Sequence, residues 1–112
     1  VSLSTHVLDT RLGRPAAKVP VRLDRYDGRT WQPLAEAVTD DDGRLGGLPG
    51  GGAALSAGIH RLRFGTGPYF AGQGVETFYP EVTVIFEITD PDEHHHVPLL
   101  VSPFGYSTYR GS

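Results

Sequence analysis

Glu81-Val82-Thr83-Val84-Ile85-Phe86-Glu87-Ile88-Thr89 places Val82, Val84, Phe86 and Ile88 at every second position. A spacing of two puts these side chains on one face of an extended chain, and β-branched and aromatic residues suit such a pleated surface. The stretch predicts a strand with one buried face. Asp90-Pro91-Asp92 then turns the chain back, His96 to Ser102 reads as the next strand, and Tyr106 to Tyr109 as a last short one. Upstream, His60, Leu62 and Phe64 alternate with Ile59, Arg61 and Arg63 in a further strand. Between these strands, Gly67 to Gly74 has room for one short helical turn.

The N-terminal half follows the same grammar. Leu3 to Thr10 reads as a strand with Leu3, Thr5 and Val7 on one face and Ser4, His6 and Leu8 on the other. Arg11-Leu12-Gly13-Arg14-Pro15 is expected to turn, since Gly allows positive φ and Pro ends strand pairing. Val19, Val21 and Leu23 alternate with polar neighbours, and Asp27-Gly28 signals a hairpin. The returning strand covers Thr30 to Gln32, Pro33 is expected to interrupt it, and Glu36 to Thr39 leads into the turn Asp40-Asp41-Asp42-Gly43. Residues 46–58, which include Gly50-Gly51-Gly52, read as a mobile surface loop because Gly costs the most entropy to order. The expected fold is all-β, a two-sheet β-sandwich of seven or eight strands with turns every eight to twelve residues.

The bulk properties narrow the function. A chain of 112 residues makes one domain over residues 1–112, because neither side of the Gly-rich stretch has apolar residues enough for its own core. Zero cysteines suit a reducing compartment, and a cytoplasmic protein is expected. The formal charge of −3 is spread along the chain, without the basic patch that nucleic acid would need. Neither a signal peptide nor an apolar membrane span is legible in these residues, and no Ser-Lys-Leu-type address stands at Gly111-Ser112.

Four places carry chemistry: His6, Arg44, the run His94-His95-His96, and Tyr109-Arg110-Gly111-Ser112. Singly, each has a plain structural reading. A strand histidine is commonly structural, an Arg after three aspartates balances local acid, and chain ends fray. Alternation lets only His94 and His96 share a face, and a zinc site would need further ligands where no cysteine is available, so no metal is expected. Neither a phosphate-binding glycine motif nor a cofactor fingerprint is present, and no cofactor is expected.

Together these segments are similar to one family. Ser4-Thr5-His6-Val7-Leu8-Asp9-Thr10 with Gly13 and Pro15-Ala16, then Thr39-Asp40-Asp41-Asp42-Gly43-Arg44, then Gly74-Val75-Glu76-Thr77-Phe78-Tyr79-Pro80, and finally His96-Val97-Pro98-Leu99-Leu100 through Tyr109-Arg110-Gly111-Ser112, resemble the transthyretin-like 5-hydroxyisourate hydrolases in order. The resemblance implies a transthyretin-like (prealbumin-like) sandwich of about eight strands, with one short helix near Tyr69 to Gly72. It also implies a homotetramer, a dimer of dimers, with sites where dimers meet. The implied substrate is 5-hydroxyisourate, opened by water.

Carried over by position, His6, Arg44, His96 and Ser112 would be catalytic, and His6, Arg44, Tyr109, Arg110 and Gly111 would bind substrate. His6 and His96 would position and activate water, Arg44 would hold the substrate and its developing oxyanion, and Ser112 would orient water or a histidine through its hydroxyl or carboxylate. Tyr109 would contact the planar substrate. Which histidine acts as base stays open in the sequence, and a serine-nucleophile scheme lacks its Gly-x-Ser-x-Gly elbow. Two features depart from the family: His95 stands where many members carry an aromatic residue, and residues 46–58 are unusually rich in glycine. The alternative reading is a non-catalytic small-ligand carrier like transthyretin itself, which lacks the Ser-Thr-His opening, the His before Val-Pro-Leu and the Tyr-Arg-Gly-Ser ending.

Overall fold

The structure, a computed structural model, describes residues 2–50 and 54–112. Among them, nine strands and one helix run in the order β1 (Leu3–Asp9), β2 (Arg14–Pro15), β3 (Pro20–Tyr26), β4 (Trp31–Val38), β5 (Arg44–Leu48), β6 (Gly58–Phe64), α1 (Thr66–Ala71), β7 (Val82–Ile88), β8 (His95–Ser102) and β9 (Gly105–Thr108). One sheet has the order β2-β1-β8-β9, with β5 also on β1, and the other has the order β4-β3-β6-β7. No helix of the described residues is long and apolar enough to cross a membrane.

Alternation explains the layers. Leu3, Thr5, Val7 and Asp9 are buried along β1, while Ser4, His6 and Leu8 are half-buried on its outer face. Val82 and Ile88 of β7, Leu62 and Phe64 of β6, and Val97, Leu99 and Val101 of β8 meet between the sheets. Helix α1 closes one end with the buried Phe70. Its neighbour Tyr69 donates from its hydroxyl to Asp9 Oδ2 at 2.7 Å, while Asp9 Oδ1 accepts from the backbone N–H groups of Arg11 and Leu12. One buried carboxylate thus joins the end of β1, the following turn and the helix. Burial, and then the bond to Asp9, push the Tyr69 hydroxyl pKa up.

Several expectations need correction. Gly46, Gly47 and Leu48 belong to β5 and not to a loop, because β1 offers a free edge and Leu48 can bury against the core. Residues 51–53, the centre of the expected mobile loop, lie outside the described residues. Pro33 does not break its strand: β4 is the sheet's edge, where a missing N–H goes unused, and the register shifts opposite Leu23/Asp24. Arg14 and Pro15 pair with the end of β1 for the same reason, so part of the expected turn is a two-residue strand. The helix starts at Thr66, β8 begins at His95, and Tyr109 lies beyond the last strand.

Two charged features set the fold's sensitivities. On the outer face of the second sheet, Asp24 is 1% exposed and accepts from Arg61 Nε at 2.7 Å and Arg63 Nε at 2.8 Å. Arg61 also lies 4.4 Å over the Trp31 ring. Inside the sandwich, His60 is fully buried and stacked on Phe86 with ring centroids 5.9 Å apart. Its Nδ1 faces the Gly58 carbonyl at 3.0 Å, so Nδ1 carries the hydrogen, and Nε2 has no partner among the described residues. Burial pushes its pKa down, helped by the nearby charges of Arg25 and His95 and opposed by the Gly58 bond.

Removing the Asp24 carboxylate leaves two guanidinium groups facing each other over the sheet. Asp24→Ala should therefore lower unfolding free energy by about 3 kcal/mol, as chemical denaturation would measure. For His60, the folded value lies below the unfolded one, so the native chain binds fewer protons and stability falls as pH drops below about 6.5. Equilibrium unfolding at pH 7.5 and 5.5 should show a smaller acid loss in His60→Phe than in the parent chain. An identical pH slope in the two proteins would contradict this.

Candidate active site

Three pairings converge on the outer face of the first sheet. β1 runs parallel to β8 with Ser4 opposite His96 and His6 opposite Pro98, and antiparallel to β5 with His6 opposite Arg44. Cross-strand neighbours sit about 5 Å apart, so Arg44, His6 and the His96 region form one row. His6 and His96 are half-buried there, and Arg44 is exposed.

The turn before β5 is built to hold that row. Asp40 Oδ1 accepts from the backbone N–H groups of Asp42 and Arg44, each at 2.9 Å, and Gly43 N–H returns to the Asp40 carbonyl at 2.9 Å. Gly43 has φ +72° and gives its carbonyl to Val7 N–H at 2.8 Å. A Cβ at this position would collide with the Val7 carbonyl oxygen, so the close approach of turn to strand requires glycine. The turn also presents the Asp42 carbonyl to His6 Nε2 at 2.9 Å. A carbonyl only accepts, so His6 holds its hydrogen on Nε2, and Nδ1 is the ring atom left to take a proton.

His96 is set differently. Its Nδ1 lies 2.7 Å from Ser4 Oγ, which also lies 3.0 Å from His94 Nε2, and His94 Nδ1 lies 2.9 Å from Ser2 Oγ. Burial lowers the His96 pKa, and the positive charges of His94, Arg44 and His6 lower it further, with the Ser4 contact acting weakly the other way. The imidazole is thereby kept neutral near neutral pH. His96 also borders a cavity of about 240 Å³ between β7 and the β8–β9 pair, whose walls include Phe86, His95, Tyr109 and Arg110 but neither His6 nor Arg44.

The C-terminal segment reaches this row through its backbone. Gly111 N–H donates to the His96 carbonyl at 2.8 Å in an isolated bridge. A Cβ on Gly111 would stand 2.5 Å from His96 Cδ2, so the chain lies directly on the imidazole ring and only glycine fits. Arg110 Nη2 pairs with Glu93 Oε2 at 2.8 Å, a surface pair with both side chains more than half exposed. Tyr109 and Ser112 are exposed. Of the residues expected from the sequence, His6, Arg44, His96 and Gly111 are brought together, while the Arg110 side chain is engaged elsewhere. Ser4 and the Asp42 carbonyl were not singled out, and His94 was weighed only as a metal ligand beside His96. Alternation already put Ser4 on the His6 face and His94 on the His96 face, but the strand register that joins them is not a local signal.

Comparison with known proteins identifies the family. The model of the HIUase/Transthyretin family matches residues 3–111. The 5-hydroxyisourate hydrolase of Caulobacter vibrioides is 47% identical over 114 residues, covering 98% of this chain and 97% of that protein. That of Salmonella typhimurium is 46% identical over 110 residues, covering 98% of this chain and 80% of that protein. Among solved structures, Klebsiella pneumoniae 5-hydroxyisourate hydrolase superposes with a TM-score of 0.88 at 40% identity, covering 99% of this chain and 98% of that one. Sea bream transthyretin in complex with thyroxine gives a TM-score of 0.88 at 29% identity, covering 97% of this chain and 93% of that one. With the two-sheet sandwich and the His6–Arg44–His96 row in place, the chain belongs to the HIUase/transthyretin family.

Proposed function

We propose that this chain is a 5-hydroxyisourate hydrolase, opening the cyclic ureide to 2-oxo-4-hydroxy-4-carboxy-5-ureidoimidazoline. The observation that carries this reading is the placement of His6, Arg44 and His96 as one row by the pairing of β5, β1 and β8. A carrier of small apolar ligands has no use for two imidazoles on one face beside a guanidinium, one of them with its tautomer set by a backbone carbonyl.

The reaction needs a base, an oxyanion partner and an acid. His6 Nδ1 takes a proton from water while the water oxygen bonds to the ring carbonyl carbon. Arg44 offers a planar fork of donors to the oxygen that gains charge. As the carbonyl re-forms, the C–N bond breaks, and the ring nitrogen takes a proton supplied from His96 Nε2. Gly111 closes over the His96 ring, and Tyr109 and Ser112 lie next to it in sequence as contacts for the substrate.

The same reading includes a homotetramer, a dimer of dimers, with sites between dimers. Supporting it, β7 and β9 end their sheets with unpaired edges on the side where the cavity opens. Ile85 on β7 and Tyr106 on β9 are exposed apolar residues there, 61% and 44% accessible. Light scattering on purified protein tests this, and a monomer at working concentration would refute it.

On freshly generated 5-hydroxyisourate, corrected for spontaneous decay, His6→Ala and Arg44→Ala should each lower turnover by roughly 10²–10⁴-fold. Parent-like turnover in both variants would overturn the assignment. Gly111→Ala should fold normally by circular dichroism yet lose at least about tenfold in turnover, because its methyl group displaces the His96 ring.

A further inference from the structure

The acid step assigned to His96 raises a chemical difficulty. A neutral imidazole is a very weak acid: it gives up its Nε2 hydrogen only if Nδ1 gains one at the same time. The four side chains Ser2, His94, Ser4 and His96 are connected in a way that meets this need. Their contacts are 2.9 Å from Ser2 Oγ to His94 Nδ1, 3.0 Å from His94 Nε2 to Ser4 Oγ, and 2.7 Å from Ser4 Oγ to His96 Nδ1.

We propose that His94 and Ser4 are positioning residues that form a proton relay behind His96, running from solvent at Ser2 to the reacting nitrogen. The proposal rests on the hydrolase reading above. Ser4 has one hydroxyl hydrogen and lies between two ring nitrogens, so it donates to one ring and accepts from the other. In the first setting, Ser4 donates to His96 Nδ1, His94 Nε2–H donates to Ser4, and His96 holds its hydrogen on Nε2. In the second, His96 Nδ1–H donates to Ser4, Ser4 donates to His94 Nε2, and His94 holds its hydrogen on Nδ1.

Passing from the first setting to the second balances the acid step. His96 Nε2 releases its proton to the departing ring nitrogen, Ser4 passes its proton to His96 Nδ1, and His94 Nε2 passes its proton to Ser4. His94 Nδ1 then takes a proton from Ser2 or the water beside it. No ring is left as an anion or a second cation. In the reverse passage His96 Nε2 takes a proton from solvent in the emptied site, His94 Nδ1 returns one to solvent, and His6 releases the proton it accepted, which restores the resting state.

The placement follows from strand geometry. Ser2 and Ser4 are two residues apart, as are His94 and His96, and the parallel register sets Ser4 opposite His96 while His95 N–H bonds to the Ser2 carbonyl at 3.0 Å. Two period-two patterns in step therefore interleave hydroxyl and imidazole. His94 is exposed while His96 is half-buried, so the relay runs outward from the site. The charged groups around it are His6 on β1, Arg44 on β5 and His94 itself, all cationic or able to become so, which favours moving a proton over storing one. Glu93, the adjacent carboxylate, is paired with Arg110.

The test combines kinetics with ring nitrogen NMR. On 5-hydroxyisourate, His94→Ala and Ser4→Ala should lower kcat by about tenfold or more with KM within about twofold. Added imidazole should restore part of the loss in His94→Ala, and Ser4→Thr, which keeps the hydroxyl, should retain more activity than Ser4→Ala. By ¹⁵N NMR, the His96 pKa should rise in His94→Ala. A kcat for His94→Ala within about twofold of the parent, or a loss confined to KM, overturns the relay. If the parent chain itself fails to turn over 5-hydroxyisourate, the hydrolase reading falls. An unchanged His96 pKa in His94→Ala would likewise overturn the relay.

Discussion

The parallel ladder between β1 and β8, from Leu3 opposite His95 to Asp9 opposite Val101, is the pairing on which the molecule depends. It joins segments some 92 residues apart in the chain. Its inner side chains, including Leu3, Val7, Leu99 and Val101, are nearly inaccessible to solvent and fix which residues face out. A slip of one residue would reverse every side chain. For a slip of β1, Ser4 and His6 would enter the core, and Leu3 and Val7 would face solvent. The hydrophobic effect that sets the register of the sandwich therefore also sets the register of the site, and the second pairing of β1, with β5, adds Arg44 to the same row.

The histidines show how neighbours that never touch substrate decide chemistry. His6 and His96 are the same residue type on adjacent strands, yet one faces a backbone carbonyl and the other a hydroxyl. A carbonyl imposes one tautomer, whereas a hydroxyl allows both. The first arrangement yields a ring with a dedicated acceptor and the second a ring that can change its hydrogen position. A third histidine, His60, shows the contrast with a buried site: bonded through Nδ1 and stacked on Phe86, it is kept neutral chiefly by burial.

Much of the fold was legible because its strands are amphipathic. β1, β6 and β7 declare their buried faces by alternation, and the Asp27-Gly28 hairpin declares itself by turn chemistry. β5 was not legible because Gly46 and Gly47 carry no side chain that marks a face, and the segment becomes a strand only by pairing with β1. Pro33 misled for a related reason, since its cost depends on whether the strand lies at an edge, which is a property of the sheet. His6, Arg44 and His96 were found through resemblance, and the spacing of His94 and His96 already put them on one face. The link through Ser4 needed the interstrand register. Arg110 shows the opposite limit: it belongs to the same terminal motif as Gly111, yet its guanidinium pairs with Glu93.

Pro33 and the register shift opposite it blunt the outer edge of β4, and on the corresponding side of the other sheet the two-residue β2 and the five-residue β5 divide the flank of β1 between them. The open edges of β7 and β9 lie on the opposite side. A sandwich with usable edges on both sides could add copies end to end without limit. With the first side broken into a proline-bearing strand and two short segments, strand addition is favoured at β7 and β9. The same proline that a central strand would reject thus disfavours growth from its own edge.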